Sequence, residues 1–206
     1  MEKNKIVFTP ETHSYFLDGV KIPGVSEILQ GIGVMNLSFV DKEVLEKNSK
    51  FGTAVHKTCE LWDKNDLDIN SLSAPLIPYL ESYKKFIVDY KVVLNPADIE
   101  KIIYSERWRF AGTLDRTATI NNKPTIIDLK SGDSLYPAMN LQLVGYKIAY
   151  EEMTKTKIKQ RWIVQLKEDG YKVTECKEQS DESVFIGAIQ LYRWKLKNGG
   201  IKNGKC

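Results

Sequence analysis

The 206-residue chain is 42% hydrophobic and 28% charged, with a formal net charge of +3, which is enough apolar material for one substantial core without a second domain. So mild a charge excludes any case for nucleic-acid or membrane binding from bulk electrostatics, and a positive footprint has to be local. Cys59, Cys176 and Cys206 lack the spacing of a disulfide framework, residues 1–6 form no apolar signal region, and no stretch reaches the roughly 18 apolar residues of a membrane span; the expectation is a cytoplasmic protein without a membrane partner.

In chain order, residues 13–22 alternate around Asp18-Gly19 and predict a β-hairpin, closed by Pro23-Gly24. Across 38–64 the positions of Phe39, Val44, Leu45, Val55, Cys59 and Trp62 predict helices with a break near 49–52. His56 and Glu60 then lie four apart on one helix face. Residues 65–75 read as a loop, and 78–90 as a helix whose stripe of Tyr79, Leu80, Tyr83, Phe86, Ile87 and Tyr90 suits a core better than a base-stacking platform. Strands are predicted at 99–110, 113–120 and 124–130. Pro137 favours a helix start before 140–153, on which Gln142 and Tyr146 share a face. Residues 157–167 and 171–177 predict a second hairpin around Glu168-Asp169-Gly170. Asp181 is expected to cap a helix running to about 197, and 199–206 reads as a frayed tail.

The chemistry concentrates around one turn. Asn121-Asn122 suits the positive φ angles of a two-residue hairpin. Pairing Ile120 with Lys123 sets Thr119 against Pro124 and, further back, Asp115 opposite Asp128. Side chains alternate along a strand, so Lys130 projects to the same side as both acids. Two carboxylates at cross-strand distance raise each other's pKa, and a divalent cation relieves that repulsion, so Mg²⁺ or Mn²⁺ is the expected occupant. Such an ion activates water and neutralises phosphate charge, with the lysine adding positive charge beside it. The other reading of these three residues is a solvated strand face.

Gly112-Thr113-Leu114-Asp115-Arg116, then Ile126 through Asp128-Leu129-Lys130-Ser131-Gly132, then Gln142-Leu143-Val144-Gly145-Tyr146 resembles the PD-(D/E)XK nucleases of the RecB-like branch. Upstream, Gly52-Thr53-Ala54-Val55-His56 through Glu60 is similar to that branch's first motif, and the opening from Phe8-Thr9-Pro10 to Val25-Ser26-Glu27-Ile28-Leu29 is similar to phage-type members. The resemblance implies an α/β restriction-endonuclease-like core, a central mixed sheet flanked by helices, with an N-terminal helical extension. In that scheme 1–206 is one nuclease domain: a lead-in at 1–35, the extension at 36–95 carrying His56, and the catalytic core at 96–198.

The same resemblance implies one or two Mg²⁺ or Mn²⁺ ions held by His56, Asp115, Asp128 and the Leu129 backbone carbonyl. Lys130 would position or activate water, with Gln142 and Tyr146 supporting substrate or nucleophile. Glu60 is a weaker candidate. Glu106 is another, equally readable as a strand-face carboxylate paired with a neighbouring lysine or arginine. The iron-sulfur cluster of some relatives is not expected, because its four cysteine ligands are missing.

Ser131, Gly132 and the Arg107 and Arg109 pair around Trp108 are candidates for nucleic-acid contact. The basic runs Lys155, Lys157, Lys159 and Arg161, and Lys195, Lys197, Lys202 and Lys205, read first as solvated faces. The leading expectation is a metal-dependent DNA exonuclease of phage-type recombination or DNA processing. A restriction-like or structure-specific endonuclease and a non-cleaving nucleic-acid-binding module are the alternatives. A single-strand annealing protein is a partner by analogy alone; polarity, strand preference and oligomeric state stay open.

Overall fold

The computed structural model describes residues 5–35 and 41–200. The start of the helical stretch expected from 38, with Phe39, and the tail from 201, with Lys202, Lys205 and Cys206, lie outside the described residues.

Three short strands open the chain as an antiparallel unit: β1 (Ile6–Thr9), β2 (Ser14–Leu17) and β3 (Val20–Ile22). The turn at Asp18-Gly19 takes positive φ at both residues, 51° and 79°, as a two-residue hairpin requires. Helix α1 (Val25–Gly31) follows, and buries Val25, Ile28 and Leu29.

Helix α2 (Lys42–Asp63) is capped by the Asp41 side chain, which accepts from the N–H groups of Glu43 and Val44. It runs unbroken through 49–52, against the expected interruption. Phe51 and Val55 pack into the core on either side of Gly52, and a Cβ on that glycine would lie 3.4 Å from Ser131 Oγ. The small residue fits the helix against a neighbouring loop; tertiary packing overrides glycine's low helix propensity. Helix α3 (Ile77–Asp89) matches the predicted stripe, whose Leu80, Tyr83 and Phe86 are buried.

The central layer holds β4 (Val93–Leu94), β7 (Arg116–Ile120), β8 (Lys123–Lys130), β9 (Gln160–Lys167) and β10 (Gly170–Glu175), in the order β10-β9-β8-β7-β4. Between β4 and β7 the chain makes a separate antiparallel pair, β5 (Lys101–Ser105) and β6 (Phe110–Leu114). The sheet is mixed: β8 and β9 are parallel, joined by a crossover through α4 (Pro137–Thr154), and the other pairs are antiparallel. Helix α5 (Asp181–Lys197) closes the chain.

Strand β8 is buried from Thr125 to Leu129 because helices cover both faces. Ile126 enters a core with α1, α4 and α5; Ile127 and Leu129 enter another with α2 and α3. Each fully buried side chain of this size is worth about 1.5–3 kcal/mol over exposure. A third cluster, Tyr15, Leu17, Ile22 and Ala111, fastens the N-terminal strands to β6.

Two further expectations are corrected. The strand expected over 99–110 is β5, a turn at 106–109 and the first residue of β6. That turn has no Gly, Pro or Asn to announce it; Arg109 takes φ 48°, and Glu152 on α4 accepts from Arg107 N–H (2.9 Å) and the Ser105 hydroxyl (2.5 Å). Asp181 does not cap α5: it is the first helical residue, and its carboxylate faces Arg161 at 3.4 Å. Arg161 is accordingly buried rather than on a solvated face. No helix among the described residues is long and apolar enough to cross a membrane.

Candidate active site

The predicted register is found. Asn121 and Asn122 take φ of 50° and 61°, Ile120 pairs with Lys123, and the ladder runs back to Arg116 opposite Ile127. Counting one step further would set Asp115 across from Asp128, but Asp115 falls between β6 and β7, outside the ladder. There the ladder stops and the chain bends from β7 into β6, so a side chain replaces a backbone partner: Leu129 N–H donates to Asp115 Oδ2 at 2.6 Å. The Asp115 carbonyl accepts from Glu100 N–H at 2.7 Å.

Helix α2 brings His56 to this bend. Its Nε2 lies 3.0 Å from the Leu129 carbonyl oxygen, and its Nδ1 3.5 Å from Asp115 Oδ2. A proton on Nε2, donated to that carbonyl, leaves the Nδ1 lone pair on the acid side. Glu100, immediately before β5, completes the group: ligand atoms of His56, Glu100 and Asp115 all lie within 4.8 Å of one another. The buried Oε1 of Glu100 has no hydrogen-bond partner among the described residues. Burial, and then the Asp115 charge, push its carboxyl up to about 8. Two carboxylates and an imidazole, one acid short of donors, form a set that fits a divalent cation.

Beside the group lies an ion pair between the buried Asp128 and the half-buried Lys130. Lys130 Nζ is 2.6 Å from Asp128 Oδ2. Burial raises the Asp128 carboxyl above its ordinary range despite the lysine. Burial alone would discharge Lys130, but Asp128 and Asp115 outweigh it and hold the ammonium charged. From α4, Gln142 Nε2 donates to the Tyr146 hydroxyl oxygen at 2.8 Å. Burial, then Asp128 and Asp115, keep that phenol protonated. Tyr146 seats against Gly112, where a Cβ would come within 2.6 Å of its ring, so the glycine of the Gly112-Thr113-Leu114-Asp115 motif makes room for the tyrosine of α4.

Behind the bend, on the opposite face of β7, Arg116 is wholly buried with its Nε 3.2 Å from Asp63 Oδ2. Tyr83 donates to the same carboxylate and stacks beneath the guanidinium, 5.0 Å from its ring centre. The thiols of Cys59 and Cys176 are pushed by burial to about 12 and about 11, which keeps them protonated and poor nucleophiles.

His56, Asp115, the Leu129 carbonyl, Asp128, Lys130, Gln142 and Tyr146 thus meet around one bend. Asp128 stands outside the three-residue donor group, engaged by Lys130. Glu60 is tied to Lys57 and Lys64 at 2.9 and 2.7 Å; burial would raise its carboxyl, but the two lysines hold it below the ordinary range. Glu106, Arg107 and Arg109 are exposed in the β5–β6 turn, at the end of that hairpin away from Asp115, because Ser105 pairs with Phe110 and Lys101 with Leu114. The acid that this segment brings beside Asp115 is Glu100, immediately before β5, and not Glu106. Ser131 adjoins Gly52, and the carbonyls of Gly132 and Asp133 accept from Gln165. Sequence reasoning missed Glu100 because it took 99–110 as one strand; with the turn at 106–109 in place, the acid at the start of β5 falls at the Asp115 end.

The fold and this centre define a class: an α/β protein with a mixed sheet, at whose strand bend an aspartate, a glutamate and a helix histidine form a group suited to a metal, beside a half-buried lysine. No protein-family model matches the chain, and no curated protein does. Among solved structures it is similar to SSO0001, at 17% identity and a TM-score of 0.35 over 58% of each chain. It is also similar to an alkaline exonuclease, LHK-Exo, from Laribacter hongkongensis, at 11% identity and a TM-score of 0.46 over 85% of this chain and 88% of that one.

Proposed function

We propose that the chain is a PD-(D/E)XK-type, divalent-metal-dependent deoxyribonuclease that hydrolyses phosphodiester bonds, acting as an exonuclease in phage-type recombination or DNA processing. The observation that carries this reading is the convergence of His56, Glu100 and Asp115, from separate stretches of chain, within 4.8 Å of one another beside the ion pair of Lys130 with the buried Asp128. The order of motifs in the sequence supports the same reading.

His56, Glu100 and Asp115 would hold the ion, with the neighbouring Asp128 as a further oxygen donor. When bound, a divalent ion supplies Lewis-acid charge to the attacking water and to a phosphate oxygen. The protein's own groups do the rest. Lys130, kept charged by Asp128, offsets negative charge that develops on the phosphate as a water oxygen bonds to phosphorus and the bond to the leaving oxygen breaks. Tyr146 accepts from Gln142, so its own proton stays free to donate to a phosphate oxygen or to the attacking water. The leaving oxygen ends as a hydroxyl and the phosphate stays on the other fragment.

The test is incubation of purified protein with end-labelled linear DNA and with closed circular DNA, with Mg²⁺, with Mn²⁺ and with chelator. Metal-dependent loss of the linear substrate alone is the expected result. Equal cutting of closed circles would contradict the exonuclease reading, and no cutting of either form with either metal would contradict the nuclease reading.

A further inference from the structure

The cleft over the bend has two compartments, and two side chains border both. The larger, about 510 Å³, is bounded by α2, by the acids Glu100 and Asp115, and by His56. The smaller, about 180 Å³, is bounded by Ser26, Gly112, Gln142 and Tyr146. His13 and Thr113 line both. Thr113 belongs to the floor, in β6. His13 comes from elsewhere, the tip between β1 and β2, and is exposed.

That tip is firmly mounted. The Tyr15 hydroxyl is 3.0 Å from Thr113 Oγ1, Ala111 N–H donates to the Pro23 carbonyl at 3.0 Å, and Gly24 bridges to Ala111. The His13 ring is braced edge-on by Phe8 and Tyr15, at centroid distances of 5.1 and 5.8 Å. Its backbone N–H is spent on the Pro10 carbonyl, but no hydrogen bond to either ring nitrogen occurs among the described residues. Among the described residues lining the larger compartment, His13 and His56 are the nitrogen-bearing side chains, and His56 is committed to Leu129 and Asp115. A polyanion entering past two acids therefore meets His13 as the ring donor not already engaged.

We propose that His13 is a substrate-contacting residue, whose imidazole N–H holds a backbone phosphate of the nucleic-acid strand where it passes from one compartment to the other. This rests on the nuclease reading of the adjoining site and adds to it a residue of the opening segment to which no site role was assigned.

The test combines binding and kinetics on His13→Ala, His13→Gln and His13→Phe. A short fluorescent DNA is titrated in Ca²⁺ and followed by anisotropy, and its cleavage is measured in Mg²⁺ or Mn²⁺. A hydrogen bond to a charged group is worth enough that its loss should raise Kd about tenfold in the alanine variant, and KM should rise with little change in kcat. Glutamine keeps an N–H donor and should recover most of the affinity; phenylalanine keeps the ring without the donor and should not. The position is exposed, so the thermal midpoint of each variant should match the parent. An alanine variant that binds and cleaves like the parent, or rescue by phenylalanine, would overturn the proposal while leaving the nuclease reading intact. A parent that cuts nothing would overturn the nuclease reading, and a parent that does not bind the DNA would overturn both.

Discussion

Asp98 and Glu100 stand two residues apart, and both are withdrawn from water, yet they belong to different parts of the protein's economy. Asp98, 1% exposed, accepts from Asn95, Lys101, Thr117 at 2.7 Å and Tyr150 at 2.6 Å. Burial alone would raise its carboxyl, but these donors outweigh it and hold the group below its ordinary range. Glu100 has a buried oxygen with no donor among the described residues and Asp115 for a neighbour, and its carboxyl rises to about 8. The difference is in partners rather than depth. A carboxylate fully supplied with donors locks β5, β7 and α4 together; one starved of them beside a second acid is favoured in its protonated form, which is the state a bound cation would reverse.

Substitution of Asp115 should have the largest effect. Asp115→Asn removes a donor shared with His56 and should lower metal-dependent cleavage by about 10³-fold or more, the order seen when a charge-stabilising group is lost from an active site. Initial rates on labelled DNA would show it, with circular dichroism confirming the fold. Next is Asp98→Asn, which leaves Lys101 facing a neutral amide and should cost about 3 kcal/mol of stability in a denaturant titration, with cleavage by the folded fraction retained. Were that variant stable and inactive, the division between the two acids would collapse.

The pH dependences of the two acids should run in opposite directions. A depressed carboxyl stabilises fully above its unfolded-chain value and loses that contribution as pH falls through the folded one. Acid unfolding of the parent should therefore be steeper than that of Asp98→Asn. A raised carboxyl does the reverse: in metal-free protein the Glu100 site costs stability as pH climbs from the ordinary carboxylate range toward about 8. Glu100→Gln should remove that slope, leaving a metal-free variant at least as stable as the parent at pH 8 though inactive. The smallest effect is expected from Glu106→Gln, in the far turn of the β5–β6 hairpin, which should cleave at the parental rate.

Much of the site was legible because its elements are local. Two asparagines fix a hairpin, and the hairpin fixes which residues of β7 and β8 oppose each other, so Asp115, Asp128 and Lys130 followed by counting. The aromatic stripe of α3 announced itself by period alone. What escaped depends on contacts distant in sequence. The turn at 106–109 is held by Glu152 from α4, so β5 read alone extends through the turn and suggests Glu106, rather than Glu100, beside Asp115. The continuity of α2 through Gly52 depends on a loop nearly eighty residues on, and His13 reaches the cleft only because β2 is fastened to β6.

The most direct measurement is a calorimetric titration of Mn²⁺ into metal-free parent, Glu100→Gln, Asp115→Asn and Glu106→Gln at one pH. With the ion held by His56, Glu100 and Asp115, the Glu100 and Asp115 variants should lose at least tenfold in affinity, or all detectable heat, while Glu106→Gln titrates like the parent. Parental affinity in Glu100→Gln, or its loss in Glu106→Gln, would contradict the donor set described for this bend.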